Sequence, residues 1–173
     1  MSIFIVRHAV AVAKHDWSRS DQHRPLTESG EHEAAAIARW FDDAPSVIVC
    51  SPTLRCVATV LPLAERFELD IVTRTELLPR APTAAAELVR SLIARSIDSA
   101  VVCTHGELVP SLLYSLPIVD ASHTPEHCAK GSIWAIDSLP AGLRATYHQT
   151  PERQTRRPRS TTTTELANAL PVR

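Results

Sequence analysis

The 173-residue sequence lacks a large charge excess of either sign: 18 Lys and Arg stand against 19 Asp and Glu, a formal net charge of −1. It therefore carries no electrostatic footprint for nucleic acid or for an anionic membrane surface. It also lacks long apolar runs, and none approaches the roughly 18 residues of a membrane span. No basic stretch opens the chain, and Arg7-His8 interrupts the apolar MSIFIV, so the start does not read as a secretory leader. The four cysteines, Cys50, Cys56, Cys103 and Cys128, lack CxxC spacing. That speaks against a zinc knuckle or a redox pair and for reduced thiols in a cytoplasmic protein. Internal repeats are absent as well. What is present is a globular composition, 45% hydrophobic and 21% charged, long enough for one domain with a core and too short for two ordinary ones.

Short β-branched runs alternate with helical patterns along the chain. Ser2–Val6, Ser46–Cys50 and Ser99–Thr104 read as buried strands, with Asp70–Thr73 a shorter one. The polar segment Lys14–Arg24 reads as loop. Thr27 is placed to cap a helix that runs to about Phe41 and buries Ile37, Trp40 and Phe41. Pro52 opens a second helix with Leu54, Val57 and Leu61 on one face, and Pro62 predicts a kink or break near Val60. A third helix from Thr83 presents Ala85, Leu88, Val89, Leu92 and Ile93; a fourth follows His105-Gly106 to about Leu116. GSIWAID and LRATYH, around the turn Leu139–Gly142, predict an antiparallel hairpin at a sheet edge. The pattern implies an α/β, three-layer domain over residues 1–149, with a largely parallel central sheet flanked by helices. From Thr150 the Pro-, Arg- and Thr-rich sequence reads as a flexible tail, 150–173.

The reactive residues fall at the ends of these strands. Arg7-His8 follows the first, Arg55 lies in the first turns after the second, and His105 follows SAVVCT. In an open parallel sheet the carboxyl ends form one edge, where ligands bind. Singly, each residue has a bland reading: a hydrogen-bonded structural histidine, a surface arginine. Two arginines and two histidines converging on one edge fit phosphoryl transfer, which depends on positioning and on charge at the non-bridging oxygens. Arginine offers a fixed fork of donors for those oxygens. Nearby positive charge also favours the neutral imidazole that can attack phosphorus. Neither a metal nor a cofactor is called for.

FIVRHA, SPTLRCVAT and VVCTHGE, together with PLTESG, resemble the motifs of the histidine phosphatase superfamily, the phosphoglycerate-mutase-like proteins. The resemblance implies that fold without a large cap, and a metal-independent phosphatase in which His8 is phosphorylated while Arg7, Arg55 and His105 surround the phosphate. It also implies Glu76, before LLP, as an acidic proton donor; by its setting alone Glu76 is equally an ordinary surface carboxylate. Arg24 is either an extra substrate contact or a solvated loop residue. The family's common RHG is RHA here, so Ala9 must keep negative φ where the backbone passes the phosphate.

The hydroxyl residue and Asn that follow in mutases are replaced by AVAVAKHDW. The plan is most similar to the small SixA-like phosphohistidine phosphatases, and also to the phosphatase half joined to Nudix domains in some actinobacterial proteins. The expected partner is a phosphorylated substrate: protein phosphohistidine, a nucleotide or a small phosphate ester. A phosphomutase and a non-catalytic phospho-ligand or partner-binding module are the alternative readings. His123, His127 and Cys128 read as a polar loop rather than a metal site, and Cys56 and Cys103 as small buried thiols.

Overall fold

The side chains of β1 (Ser2–Arg7) alternate between two buried faces, and that alternation sets the layering of the molecule. Ile3 and Ile5 join one core cluster, Val6 the other. The computed structural model describes residues 1–149; the proposed tail lies outside the described residues. Seven strands make one sheet in the order β3-β2-β4-β1-β6-β7-β5. β2 (Val47–Cys50), β3 (Ile71–Thr73) and β4 (Ser99–Thr104) run parallel with β1, and β6 (Ile133–Leu139) runs antiparallel to it.

On one face, α3 (Pro82–Ala94) and α4 (Val109–Tyr114) pack Ala85, Val89 and Leu112 over Ile3, Ile5, Val102 and Trp134. On the other, α1 (Glu28–Trp40) and α2 (Leu54–Phe67) pack Ile37, Val60 and Leu63 over Val6, Ile48, Val101 and Ile133. The expected three-layer α/β architecture is the one observed. No helical cap is inserted between β3 and α3, where a single 3-10 turn, Thr75–Leu77, fills the gap. No helix among the described residues is long and apolar enough to cross a membrane.

Three local expectations are corrected. Of the kink or break expected near Val60, the break does not occur: helix α2 continues past Pro62 to Phe67. Val60, Leu63 and Ala64, buried on either side of the proline, hold the helix against the sheet, and this tertiary packing outweighs the lost backbone bond. Its inward face is also not the expected one. Leu54 and Leu61 are exposed, while Arg55, Cys56, Thr59, Val60 and Leu63 are buried. An apolar count misses a face whose i, i+4 pair, Arg55 and Thr59, is polar. Lastly, the hairpin β6–β7 (Gly142–His148) is not at the sheet edge, because β5 (Ile118–Ala121) pairs parallel with β7 and covers it. Val119, Asp120 and Ala121 are exposed, so β5 carries no alternating apolar signal.

Thr27 caps α1 as its sequence suggests, its hydroxyl accepting from the Gly30 N–H at 3.1 Å. The same helix start presses on the chain leaving β1. The Thr27 N–H donates to the Val10 carbonyl at 2.9 Å, and a Cβ on Gly30 would lie 1.9 Å from that carbonyl oxygen. A glycine is required by this approach rather than by its own φ. Gly30→Ala is expected to lower stability by about 1–3 kcal/mol, the cost of overpacking a close contact. Denaturant melts of the variant and wild type check it, and coincident midpoints would contradict it.

Candidate active site

β4 lies between β2 and β1 in the sheet, so the three segments that leave their carboxyl ends are neighbours. Those segments begin with Ser51, His105 and His8. The structure accordingly brings Arg7, His8, Arg55 and His105 into one cleft of about 430 Å3, with Arg24, Gly106, Glu107 and Lys130 completing its lining. His8, Arg55 and His105 are buried at its floor, whereas Glu107 and Lys130 are exposed at its rim.

The tautomer of His8 follows from its partner. Nδ1 is 2.8 Å from the Ala9 carbonyl oxygen, which can only accept, so Nδ1 carries the proton and Nε2 keeps its lone pair. The backbone on either side is pinned. The His8 N–H donates to the Thr104 carbonyl at 3.0 Å, and the Ala9 N–H to Thr59 Oγ1 at 3.0 Å. Thr59 in turn donates to the Arg55 carbonyl at 2.6 Å, tying the His8 segment to α2. Ala9 is fully buried and is not among the positive-φ residues, so its methyl group is accommodated. Burial depresses the His8 pKa from 6.5 to about 4, with His105 and Arg55 adding to the effect and Cys56 and the Ala9 carbonyl opposing it. At neutral pH the imidazole is therefore uncharged.

That depression makes stability depend on pH. Between about 6.5 and about 4 the unfolded chain binds a proton at His8 that the folded chain does not. Folding stability consequently falls as pH drops through this window, by on the order of 3 kcal/mol from this residue. Denaturant titrations at several pH values should show the loss in wild type and a shallower one in His8→Ala. Parallel curves for the two proteins would contradict a buried neutral His8.

Arg55 is held on three sides. Its Nη1 donates to the Asp21 carbonyl at 2.8 Å, and Nη2 lies 3.1 Å from Asp21 Oδ2 and 3.3 Å from His105 Nδ1. A guanidinium cannot accept, so His105 Nδ1 is the acceptor and its Nε2–H faces Ser51 Oγ at 2.9 Å. Arg7 donates through Nη1 to the Cys128 carbonyl. Gly106 makes room for Arg7: a Cβ there would lie 2.7 Å from Cζ and Nε. Nε of both Arg7 and Arg55 is buried without a partner among the described residues. The two arginines thus offer donors for anionic oxygens beside the unprotonated Nε2 of His8, with His105 bracing Arg55, an arrangement suited to phosphoryl transfer.

Glu76 does not join them. It sits half-buried on the 3-10 turn Thr75–Leu77, with Thr75 Oγ1 3.4 Å from its carboxylate, and does not line the cleft. The carboxylate that does is Glu107, whose place in THGE directly after His105-Gly106 was the available signal. Asp21, Ser51 and Thr59 also escape a search for reactive residues because they act on other side chains. Cys50, Cys56 and Cys103 are buried and free, and burial pushes the Cys50 thiol up to about 12. His123 and His127 meet edge to face with ring centroids 4.9 Å apart, and no group of three or more metal-binding side chains occurs among the described residues.

Fold and cleft together define a three-layer α/β protein with an arginine- and histidine-lined cleft at the carboxyl edge of its sheet. The family model of the histidine phosphatase superfamily (branch 1) matches residues 3–81 of the chain. An 8-oxo-(d)GTP phosphatase of Mycolicibacterium smegmatis is 27% identical over 141 residues, 78% of this chain and 44% of that protein. The chain therefore spans less than half the length of this relative. Among solved structures, the protein histidine phosphatase SixA complexed with tungstate superposes with a TM-score of 0.71 at 24% identity, covering 87% of this chain and 97% of that one. A mycobacterial glucosyl-3-phosphoglycerate phosphatase in complex with VO3 gives 0.67 at 17%, covering 86% and 97%. A phosphoserine phosphatase mutant from Entamoeba histolytica gives 0.64 at 12%, covering 86% and 97%. These similarities show the shared fold.

Proposed function

We propose that the protein hydrolyses a pendant phosphoryl group through a covalent phosphohistidine at His8, without a metal. The observation that carries this reading is the neutral His8 with Nε2 unprotonated, set in one cleft with Arg7, Arg55 and His105. Arg7 and Arg55 hold the non-bridging oxygens and stabilise charge as it develops on them, and His105, whose Nδ1 accepts from Arg55, fixes that guanidinium beside the phosphoryl group. His8 Nε2 attacks phosphorus, and the electron pair of the breaking P–O or P–N bond leaves with the departing group. Water then attacks the phosphohistidine, releasing inorganic phosphate and restoring the imidazole. The free, buried thiols support a cytoplasmic setting.

The substrate class follows from access. With no cap between β3 and α3, a phosphate on a bulky carrier can reach the floor of the cleft. A nucleotide and a protein phosphohistidine are both such carriers, and the names of the M. smegmatis relative and of SixA support that class. The expected result is that a histidine-phosphorylated protein or a nucleotide is turned over at least as well as a small sugar phosphate. Matched kcat/KM values decide it. A preference of about a hundredfold for the sugar phosphate, roughly 2.7 kcal/mol in transition-state binding, would mean a closed and selective pocket.

A further inference from the structure

The phosphoryl group accounts for Arg7, Arg55 and His105 but not for the other two cations of the same cleft, Arg24 and Lys130. A loop arginine is ordinarily solvated, yet the Arg24 side chain is only 13% exposed. It is also built into place. Nε donates to Asp21 Oδ1 at 2.9 Å and Nη1 to the Val12 carbonyl at 2.7 Å. These two contacts use Nε and Nη1 of the guanidinium. Asp21 bridges Arg24 and Arg55 without lining the cleft, so the two guanidiniums are set relative to each other by one carboxylate. Lys130 is placed just as directly. The next residue, Gly131 (φ 69°), brings its N–H within 3.1 Å of the Arg7 carbonyl and 3.2 Å of the His8 carbonyl.

The position of these cations bears on the leaving group. In an in-line displacement the attacking nitrogen and the departing oxygen lie on opposite sides of phosphorus. His8, Arg55 and His105 form the buried floor, so the departing oxygen points away from it, toward the part of the cleft lined by Arg24 and by the exposed Lys130. We infer that Arg24 and Lys130 form a second anion subsite for the leaving group, which makes the preferred substrate a phosphoanhydride of the nucleoside diphosphate class. An alkoxide leaving group needs a proton donor, whereas a leaving phosphate needs only charge stabilisation. Two cations supply that, and Glu107, the carboxylate that lines the cleft among the described residues, is exposed at its rim.

In the proposed step the bond from His8 Nε2 to the β-phosphorus forms as the bond from that phosphorus to the bridging oxygen breaks. The electron pair stays on the oxygen of the departing nucleoside monophosphate. Water then cleaves the N–P bond to give inorganic phosphate. The inference rests on the phosphatase reading above.

The test compares ADP with AMP, which differ by one phosphate, in wild type, Arg24→Ala, Lys130→Ala and the double variant. One charge-assisted contact to the second phosphate corresponds to about tenfold or more in kcat/KM. Wild type is expected to favour ADP by at least that factor, each single variant to lower the ADP:AMP ratio, and the double variant to bring it near one. Arg24→Lys, which keeps the charge, should retain part of the preference, and Lys130→Ala serves alone if the Arg24 variants do not fold. Equal losses on both substrates, or a wild type that does not favour ADP, would overturn the subsite. Turnover of p-nitrophenyl phosphate separates the two claims. A wild type active on it but indifferent to ADP overturns only the subsite, and one inactive on every phosphate overturns the phosphatase reading with it.

Discussion

Replacing His8 with alanine is expected to abolish turnover, by on the order of a thousandfold or more, in a protein that still folds. The size of the effect comes from losing the covalent route altogether rather than one contact. Folding should survive because the side chain makes a single hydrogen bond, to the neighbouring Ala9 carbonyl, while the segment is held by backbone groups. The His8 N–H to Thr104 and the Ala9 N–H to Thr59 remain after the substitution. Removing a buried imidazole whose protonated form is disfavoured there also relieves a stability cost at acidic pH. Steady-state rates on p-nitrophenyl phosphate alongside a thermal melt check the prediction. A folded His8→Ala protein with wild-type-like kcat would remove His8 from the chemistry.

Arg55→Ala is expected to lower kcat/KM by about a hundred- to a thousandfold, the usual effect of deleting one preorganised donor to a developing oxyanion. The loss is more than one contact to the phosphoryl group. Arg55 also orients His105 through Nδ1 and holds the loop carrying Asp21 by two hydrogen bonds. Asp21 would keep Arg24 as a partner, so the loop loses one anchor and not both. Arg55→Lys should recover little, because an ammonium cannot span Asp21, His105 and a phosphate oxygen at once. Paired kcat and KM values for the two variants decide it, and full recovery in Arg55→Lys would reduce Arg55 to a point charge.

The buried strands were legible because both of their faces are apolar, as in Ser99–Thr104, where five of six residues are buried. The site was legible for a related reason. Arg7, His8 and His105 lie at strand ends, and a parallel sheet turns sequence-remote strand ends into neighbours. The signal failed where a residue's environment opposes its type. Arg55 and Thr59 are polar on the inward face of α2, while the apolar Leu54 and Leu61 are exposed. In β5, an exposed and short strand, pairing with β7 replaces apolar burial as the reason for extended structure. Glu76 attracted attention by its position before LLP, yet only three-dimensional placement distinguishes it from Glu107 at the cleft. Asp21 had no chemical signature at all, since its role is to hold two arginines in register.

The central claim is a covalent bond between phosphorus and His8, and trapping that bond tests it most directly. Wild-type protein mixed with a turned-over phosphate ester and quenched within a single turnover in denaturing alkali, where phosphohistidine survives and phosphoserine does not, is digested and mapped by mass spectrometry. The account predicts a phosphoryl group on the peptide carrying His8 and none in His8→Ala. A phosphoryl group mapped to another residue, or single-turnover release of phosphate with no phosphoenzyme formed, would contradict it.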